Sequence, residues 1–227
     1  LAEAGADVIC HSMTADGASD TMRAIEQLGR RAWGCAADLS DRAQVLTLAD
    51  QTLHATDGAP IDILVNNAGT IRRAPAADVT PGDWDAVMRT NLDAAFLLSQ
   101  AVGRGMLARR QGKIINIASL LSFQGGITVP AYTASKHAIA GVTKALANEW
   151  AAQGVQVNAI APGYFSTDNT QALRDNADRA SQILSRIPAG RWGQPDDLVG
   201  AAVFLAGAAS DYVNGHVLVV DGGWLAR

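Results

Sequence analysis

Tyr132 and Lys136 stand four positions apart in a stretch of helical period, so both side chains lie on one helix face and can meet at one ligand. A Tyr-x-x-x-Lys pair alone is weak, since its ordinary reading is an amphipathic tyrosine beside a solvated lysine. Ser119 adds weight: it lies thirteen positions before Tyr132, just past the apolar run Lys113–Ala118, on the sheet edge where doubly wound folds bind ligands. A hydroxyl, a phenol and an ammonium gathered there suit the removal of a proton from an alcohol whose hydride leaves at the same time. A free tyrosine, with a pKa of about 10, is a poor base at neutral pH. A unit charge about 4 Å away, at an effective dielectric near 20, is worth roughly 4 kcal/mol, or about three pKa units. The residues therefore predict Tyr132 as the proton-transfer group, Lys136 as the charge that brings it near neutrality, and Ser119 as the hydrogen-bond partner of the substrate oxygen.

Other segments belong to the same edge. Asn66-Asn67-Ala68-Gly69 follows an apolar run, where small residues let a flat ligand lie against the backbone, although an ordinary strand-to-loop turn reads the same way. Asn91 falls inside the helical pattern Trp84–Leu107, and a buried amide needs a reason to be there, such as a kink with a bound water. Arg72 and Arg73 follow the Asn66–Gly69 turn. They read either as a solvated loop pair or as a guanidinium fork for a carboxylate, with Arg174 in reserve.

To bring these residues together the chain must alternate strands and helices. Strand patterns occur at Ala6–Cys10, Ala32–Ala36, Ile61–Asn66, Lys113–Ala118, Val155–Ile160 and His216–Val220, and helical patterns include Ala43–His54, Trp84–Leu107, Tyr132–Ala152 and Asp196–Ala206. Near-continuous apolar strands are those of a parallel sheet covered on both faces. The prediction is an α/β, doubly wound, Rossmann-like parallel sheet in a single domain over residues 1–227. The polar stretch Pro162 to Pro188 follows a strand's carboxyl end and is the expected substrate lid.

Composition narrows the partners. A net charge of −4 and a pI near 5.5 leave no footprint for nucleic acid, no apolar run approaches a membrane span, and Cys10 and Cys35 lack metal-ligand spacing. The expectation is a cytoplasmic enzyme with a small-molecule substrate and no metal.

In order and spacing, Asp38-Leu39, Asn66 to Gly69, Asn91, Ser119, Tyr132 with Lys136, Pro162-Gly163 and Asp221-Gly222-Gly223 resemble the short-chain dehydrogenase/reductase family over the whole chain. The resemblance implies an NAD(P)-dependent oxidoreductase in which Tyr132, Lys136, Ser119 and Asn91 are catalytic, Lys136 also holding the nicotinamide ribose and Asn91 supporting a proton-relay water. It implies contacts from Asp38 and Leu39 to adenine, from Asn67, Ala68 and Gly69 to the adenosine ribose, and from Pro162, Gly163 and Thr167 to the nicotinamide side. On pattern alone, Asp38 reads equally as a helix N-cap beside Ser40. Ser122–Gly126, Arg186–Gly193 and the terminal Asp221–Arg227 are closest to members that act on sugar acids, with NAD the expected cofactor and NADP open. The segment Cys10-His11-Ser12-Met13-Thr14 offers neither the acidic residue that favours NAD nor the arginine that favours NADP. Substrate contacts are then expected from Ser119, Tyr132, Arg72 and Arg73, and a homotetramer is the usual assembly. The family's turn Thr-Gly-x-x-x-Gly-x-Gly has no counterpart before Ala6, so the expectation is a chain without that segment and the first strand, and, if that state is real, a binding or inactive protein.

Overall fold

The computed structural model describes residues 1–227. Six strands, β1 (Val8–Ser12), β2 (Ala32–Ala36), β3 (Ile63–Asn66), β4 (Gly112–Ile117), β5 (Val155–Pro162) and β6 (Val217–Val220), alternate with helices α1 (Ser19–Gln27), α2 (Arg42–Ala55), α3 (Pro81–Met88), α4 (Ala94–Arg109), α5 (Pro130–Trp150), α6 (Gln171–Arg174), α7 (Ala177–Leu184) and α8 (Val199–Ala206). Every pairing is parallel, in one sheet of order β1-β2 and another of order β3-β4-β5-β6. The α/β, Rossmann-like architecture is as expected, with its strands divided between two sheets. α2 joins the two parts: Leu39, Val45 and Leu48 pack with Ala94 of α4 in one buried cluster.

Period-two alternation puts successive residues of β4 on opposite faces. Ile114 packs with Met106 of α4 and Leu146 and Trp150 of α5, while Ile115 packs with Ile160 and Leu205 of α8. Burial on both faces is why these strands read as continuous apolar runs. α5 starts with Pro130 at its first turn, where a missing N–H costs nothing.

Three local features refine the sequence reading. α1 adds to the helical patterns named from the sequence; it is strongly amphipathic and buries Ile25 beside Cys10 and Ala18. The pattern Trp84–Leu107 is not one helix, because Arg89–Asp93 form a π turn between α3 and α4. α2 is capped by Asp41, whose side chain accepts from the Ala43 amide at 2.9 Å. Asp38, for which a cap is one of two readings, turns its carboxylate to the Ser40 amide and hydroxyl at 2.8 and 2.7 Å.

Gly154 carries the chain from α5 into β5 at φ 78°, and a Cβ there would lie 2.0 Å from the Arg110 carbonyl oxygen. Backbone cannot yield as a side chain end can. Gly154→Ala combines left-handed strain with this clash and is expected to cost more than about 2 kcal/mol, read from the urea midpoint; an unchanged midpoint would refute the close approach.

Candidate active site

β4 delivers the first component. Its chain leaves the sheet at Ser119, which caps a single turn at Leu120–Ser122: the Ser119 Oγ accepts from the Leu121 amide at 3.2 Å and the Ser119 amide donates to Ser122 Oγ at 3.3 Å. Ser122 in turn donates to the Lys136 carbonyl at 2.5 Å, so the turn bearing Ser119 is tied to the helix bearing Tyr132. The second component is α5, where Lys136 lies with its Nζ 5.5 Å from the centre of the Tyr132 ring. Sequence spacing and structure agree on this convergence of Ser119, Tyr132 and Lys136.

Lys136 is 4 % exposed. Its ammonium donates to the Ile117 carbonyl at 2.6 Å, and burial without a compensating carboxylate lowers its pKa from 10.5 to about 8. An ammonium has three donors, of which this bond uses one. Gly69 borders it: a Cβ there would stand 3.9 Å from Nζ and 3.5 Å from Asn91 Oδ1, so glycine leaves room beside the ammonium for a hydroxyl-bearing ligand. This donor set fits a ribose.

The electrostatics of Tyr132 differ from the simple expectation. Burial raises its pKa above 10, against which the Ser119 hydroxyl pulls down by hydrogen bonding and the Arg73 guanidinium by charge. The Lys136 ammonium, 5.5 Å from the ring centre, is itself buried. Arg73 is a cation that lowers Tyr132, a role with no signal in local spacing.

Asn91 is held inside the π turn and 3 % exposed. Its Oδ1 accepts from the Thr70 amide at 2.8 Å, and its Nδ2 donates to the Thr70 carbonyl at 3.0 Å and to Ser135 Oγ at 3.2 Å. Those three bonds explain why the amide is tolerated. They also clamp the loop Asn67–Gly69, which is exposed, beside α5. Sequence reasoning missed Ser135, whose only signal was its place on the helix.

The remaining expected residues separate. Leu39 is a core residue, 9 % exposed among Ala37, Val45, Leu48 and Ala94, so its side chain is not free for a cofactor and only its backbone is. Gly163 donates to the Val220 carbonyl at 2.8 Å, and a Cβ there would come within 2.6 Å of Asp221 Cα; close packing against β6 accounts for the glycine after Pro162. Thr167 caps the turn Asp168–Thr170. Arg72 and Arg73 line a cleft of about 130 Å³ with Ala74, Val79, Asp83, Pro130 and Ala131. They diverge: Arg72 faces Asp83 at 3.7 Å, whereas Arg73 donates to the Asn169 carbonyl at 2.9 Å. Arg174 donates to the Thr167 carbonyl at 3.2 Å. Tyr164, Trp192 and Trp224 pack on one another, with ring centres 5.6 and 4.6 Å apart, as part of a buried cluster.

Comparison with known proteins agrees with this geometry. A family profile described as enoyl-(acyl carrier protein) reductase matches residues 1–225. The chain belongs to the short-chain dehydrogenase/reductase family. It is 58% identical to a 2-dehydro-3-deoxy-D-gluconate 5-dehydrogenase of Bacillus subtilis (strain 168) over 227 residues, covering 100% of this chain and 88% of that protein. A putative NAD(P)-dependent gluconate 5-dehydrogenase from Beutenbergia cavernae, solved with NADP bound at low occupancy, superposes with a TM-score of 0.95 at 52% identity, covering 100% of this chain and 91% of that one. A gluconate 5-dehydrogenase from Burkholderia cenocepacia J2315, solved with NADP and tartrate, gives a TM-score of 0.95 at 45% identity, with 100% and 88% covered. No helix of this short-chain dehydrogenase/reductase is long and apolar enough to cross a membrane.

The depressed pKa of Lys136 has a measurable sign. Below pH 8 the folded protein bears the full cost of burying the ammonium, about 3 kcal/mol for the shift from 10.5 to about 8. The unfolded chain holds this proton more tightly between pH 8 and 10.5, so the Lys136 contribution to stability rises with pH through that window. Lys136→Met lacks the rise. Relative to wild type, its unfolding free energy is expected to fall by about 2 kcal/mol between pH 7.5 and 9.5; a difference that does not vary with pH would show that Lys136 is not desolvated.

Proposed function

We propose that this chain is an NAD(P)-dependent dehydrogenase of sugar acids, and that its substrate is 2-dehydro-3-deoxy-D-gluconate, oxidised at the 5-position in the breakdown of pectin-type uronates. The observation that carries the reading is the convergence of Ser119, Tyr132 and Lys136, with two donor positions of the buried ammonium left for a ribose. The relative at 58% identity bears that activity in its name. A second reading, gluconate 5-dehydrogenase, is favoured by the names of the two solved structures. Both substrates are six-carbon acids with a carboxylate remote from the reacting carbon.

NAD(P) supplies the hydride acceptor for oxidation and the donor for the reverse reaction. Lys136 would hold its nicotinamide ribose, with Pro162, Gly163 and Thr167 on the nicotinamide side, Asn67, Ala68 and Gly69 on the adenosine ribose, and Asp38 with the Leu39 backbone at the adenine. NAD is the cofactor we favour for this chain, while both solved structures carry NADP.

The proton chemistry belongs to the chain. In oxidation Tyr132 first gives its own proton to solvent through the relay water and, as the phenolate, takes the substrate hydroxyl proton at Oη; in reduction the phenol gives its proton to the substrate oxygen and is reprotonated by the same route. Ser119 hydrogen-bonds the reacting oxygen without needing to ionise. Lys136, fixed on the Ile117 carbonyl, places positive charge under the tyrosine ring, and Asn91 seats the flanking loop and supports a proton-relay water. Since burial keeps Tyr132 protonated in the free protein, its resting form is the acid needed for ketone reduction. Arg72 and Arg73 supply the cation that would hold the substrate carboxylate and set its register. A cytoplasmic homotetramer completes the reading; the exposed apolar residues Val199, Val203 and Phe204 of α8 offer a surface for it.

Tyr132→Phe removes the transferable proton and little else. Turnover is expected to fall by roughly 10²- to 10⁴-fold while the Kd for NADH, measured by fluorescence titration, stays within a few-fold. Near wild-type turnover would overturn the mechanism. In a parallel assay, oxidation of 2-dehydro-3-deoxy-D-gluconate should exceed that of gluconate and of sorbitol in kcat/KM with either cofactor. Sorbitol as the best substrate would overturn the sugar-acid assignment.

A further inference from the structure

Arg73 and Arg72 are adjacent in sequence and opposite in circumstance. The Arg72 guanidinium already faces a carboxylate, Asp83 at 3.7 Å, and a hydroxyl, Thr70 Oγ1 at 3.4 Å. An anion arriving at Arg72 would meet Asp83 as well. Arg73 has no acidic partner, and its Nη2 donates to the backbone carbonyl of Asn169, 96 positions away, at 2.9 Å. Of five guanidinium N–H donors, one is engaged, and the side chain is exposed in a cleft that includes Pro130 and Ala131, next to Tyr132.

Asn169 lies in the turn Asp168–Thr170, within the polar stretch Pro162 to Pro188 expected to act as the lid. The turn is internally braced: Thr170 Oγ1 shares its one proton between the Phe165 and Thr167 carbonyls, at 2.5 and 3.0 Å, and Arg174 donates to the Thr167 carbonyl at 3.2 Å. It can therefore move as a unit, and the Arg73 bond links that unit to the loop after β3.

We propose that Arg73 is a two-ended clasp, seating the lid turn through the Asn169 carbonyl while offering its unengaged N–H donors to the substrate carboxylate, so that binding of the anion holds the lid closed. The inference rests on the sugar-acid reading and deepens it, assigning the carboxylate to Arg73 and not to Arg72. A guanidinium placed by one partner loses less freedom on meeting the second. By reciprocity, whatever the carboxylate gains from a seated Arg73 the lid gains from the carboxylate. A neutral polyol has no group to engage the free donors and leaves the lid unaffected.

The test combines hydrogen exchange with kinetics. Peptides covering residues 166–175 are followed in the enzyme with NADH plus either 2-dehydro-3-deoxy-D-gluconate, a pair that cannot turn over, or sorbitol. The acid should slow exchange in this segment at least several-fold and sorbitol should not. In Arg73→Ala the acid-dependent protection should vanish and KM for the acid rise roughly ten- to a hundredfold, with a smaller change in kcat. Arg73→Lys, which keeps the charge without the fork, should recover part of both. Arg72→Ala should keep the acid-dependent protection of this segment, and its rise in KM should be smaller than that of Arg73→Ala. Acid-dependent protection that survives in Arg73→Ala, or a KM loss that falls on Arg72→Ala instead, overturns the clasp while leaving the sugar-acid reading intact. Wild-type enzyme that neither binds nor oxidises a sugar acid overturns both.

Discussion

Asn116 stands in the middle of β4 with no solvent access, and an amide so placed must find its partners inside the protein or destabilise it. It finds them on both sides. Asn66, its register partner on β3, donates to Asn116 Oδ1 at 2.8 Å and to Ser99 Oγ of α4 at 3.0 Å, while Asn116 Nδ2 donates to Thr143 Oγ1 of α5 at 2.9 Å. Ser99 and Thr143 return their own protons to carbonyls one turn back, Ala95 and Ile139. Only one mutual placement of two strands and two helices satisfies all of these groups. Apolar packing would tolerate a small slide of α5 along the sheet; this chain of amides and hydroxyls would not.

The site inherits that restriction. Ser119 emerges from the same strand as Asn116, and Tyr132 and Lys136 precede Thr143 on the same helix. A shift of α5 that broke the bond to Thr143 would also strain the Lys136 bond to Ile117 and the Ser122 bond to the Lys136 carbonyl. Catalytic geometry tolerates displacements well below an ångström, and here it is set by buried polar groups on regular elements, with the loops left to carry Asn67–Gly69 and the lid.

Much of this was legible in the sequence where one residue's neighbours in the chain determine its place. β2 was read to its bounds, and Ser119, Tyr132 and Lys136 were assembled from spacing and helix period. What escaped notice depends on distant partners. Asn66 reads as the end of a strand and the start of a turn, with no sign that its amide faces Asn116; a polar residue within Ile114-Ile115-Asn116-Ile117 is the available signal. Leu39 and Gly163 matched a family pattern, yet burial against α2 and contact with Asp221 already account for them. The order of pKa causes at Tyr132 was inaccessible for the same reason, since desolvation belongs to the folded surroundings and Arg73 comes from 59 positions away.

The π turn at Arg89–Asp93 carries a consequence for how this chain can change. An α-helix advances about 100° per residue, and the wide turn absorbs one additional residue without ending the rod. Val87 before it and Ala94 and Ala95 after it are all buried, so the turn acts as a phase shifter that keeps both halves facing inward while pushing Asn91 toward the loop at Thr70. Removing any one residue from 89–93 would let the backbone relax into a regular helix and rotate the whole of α4 by about 100° relative to α3. Ser99 would swing away from Asn66, and Asn91 from Thr70. The segment is thus fixed in length more strictly than in composition: side chains on its outer surface can be exchanged freely, but the number of residues cannot.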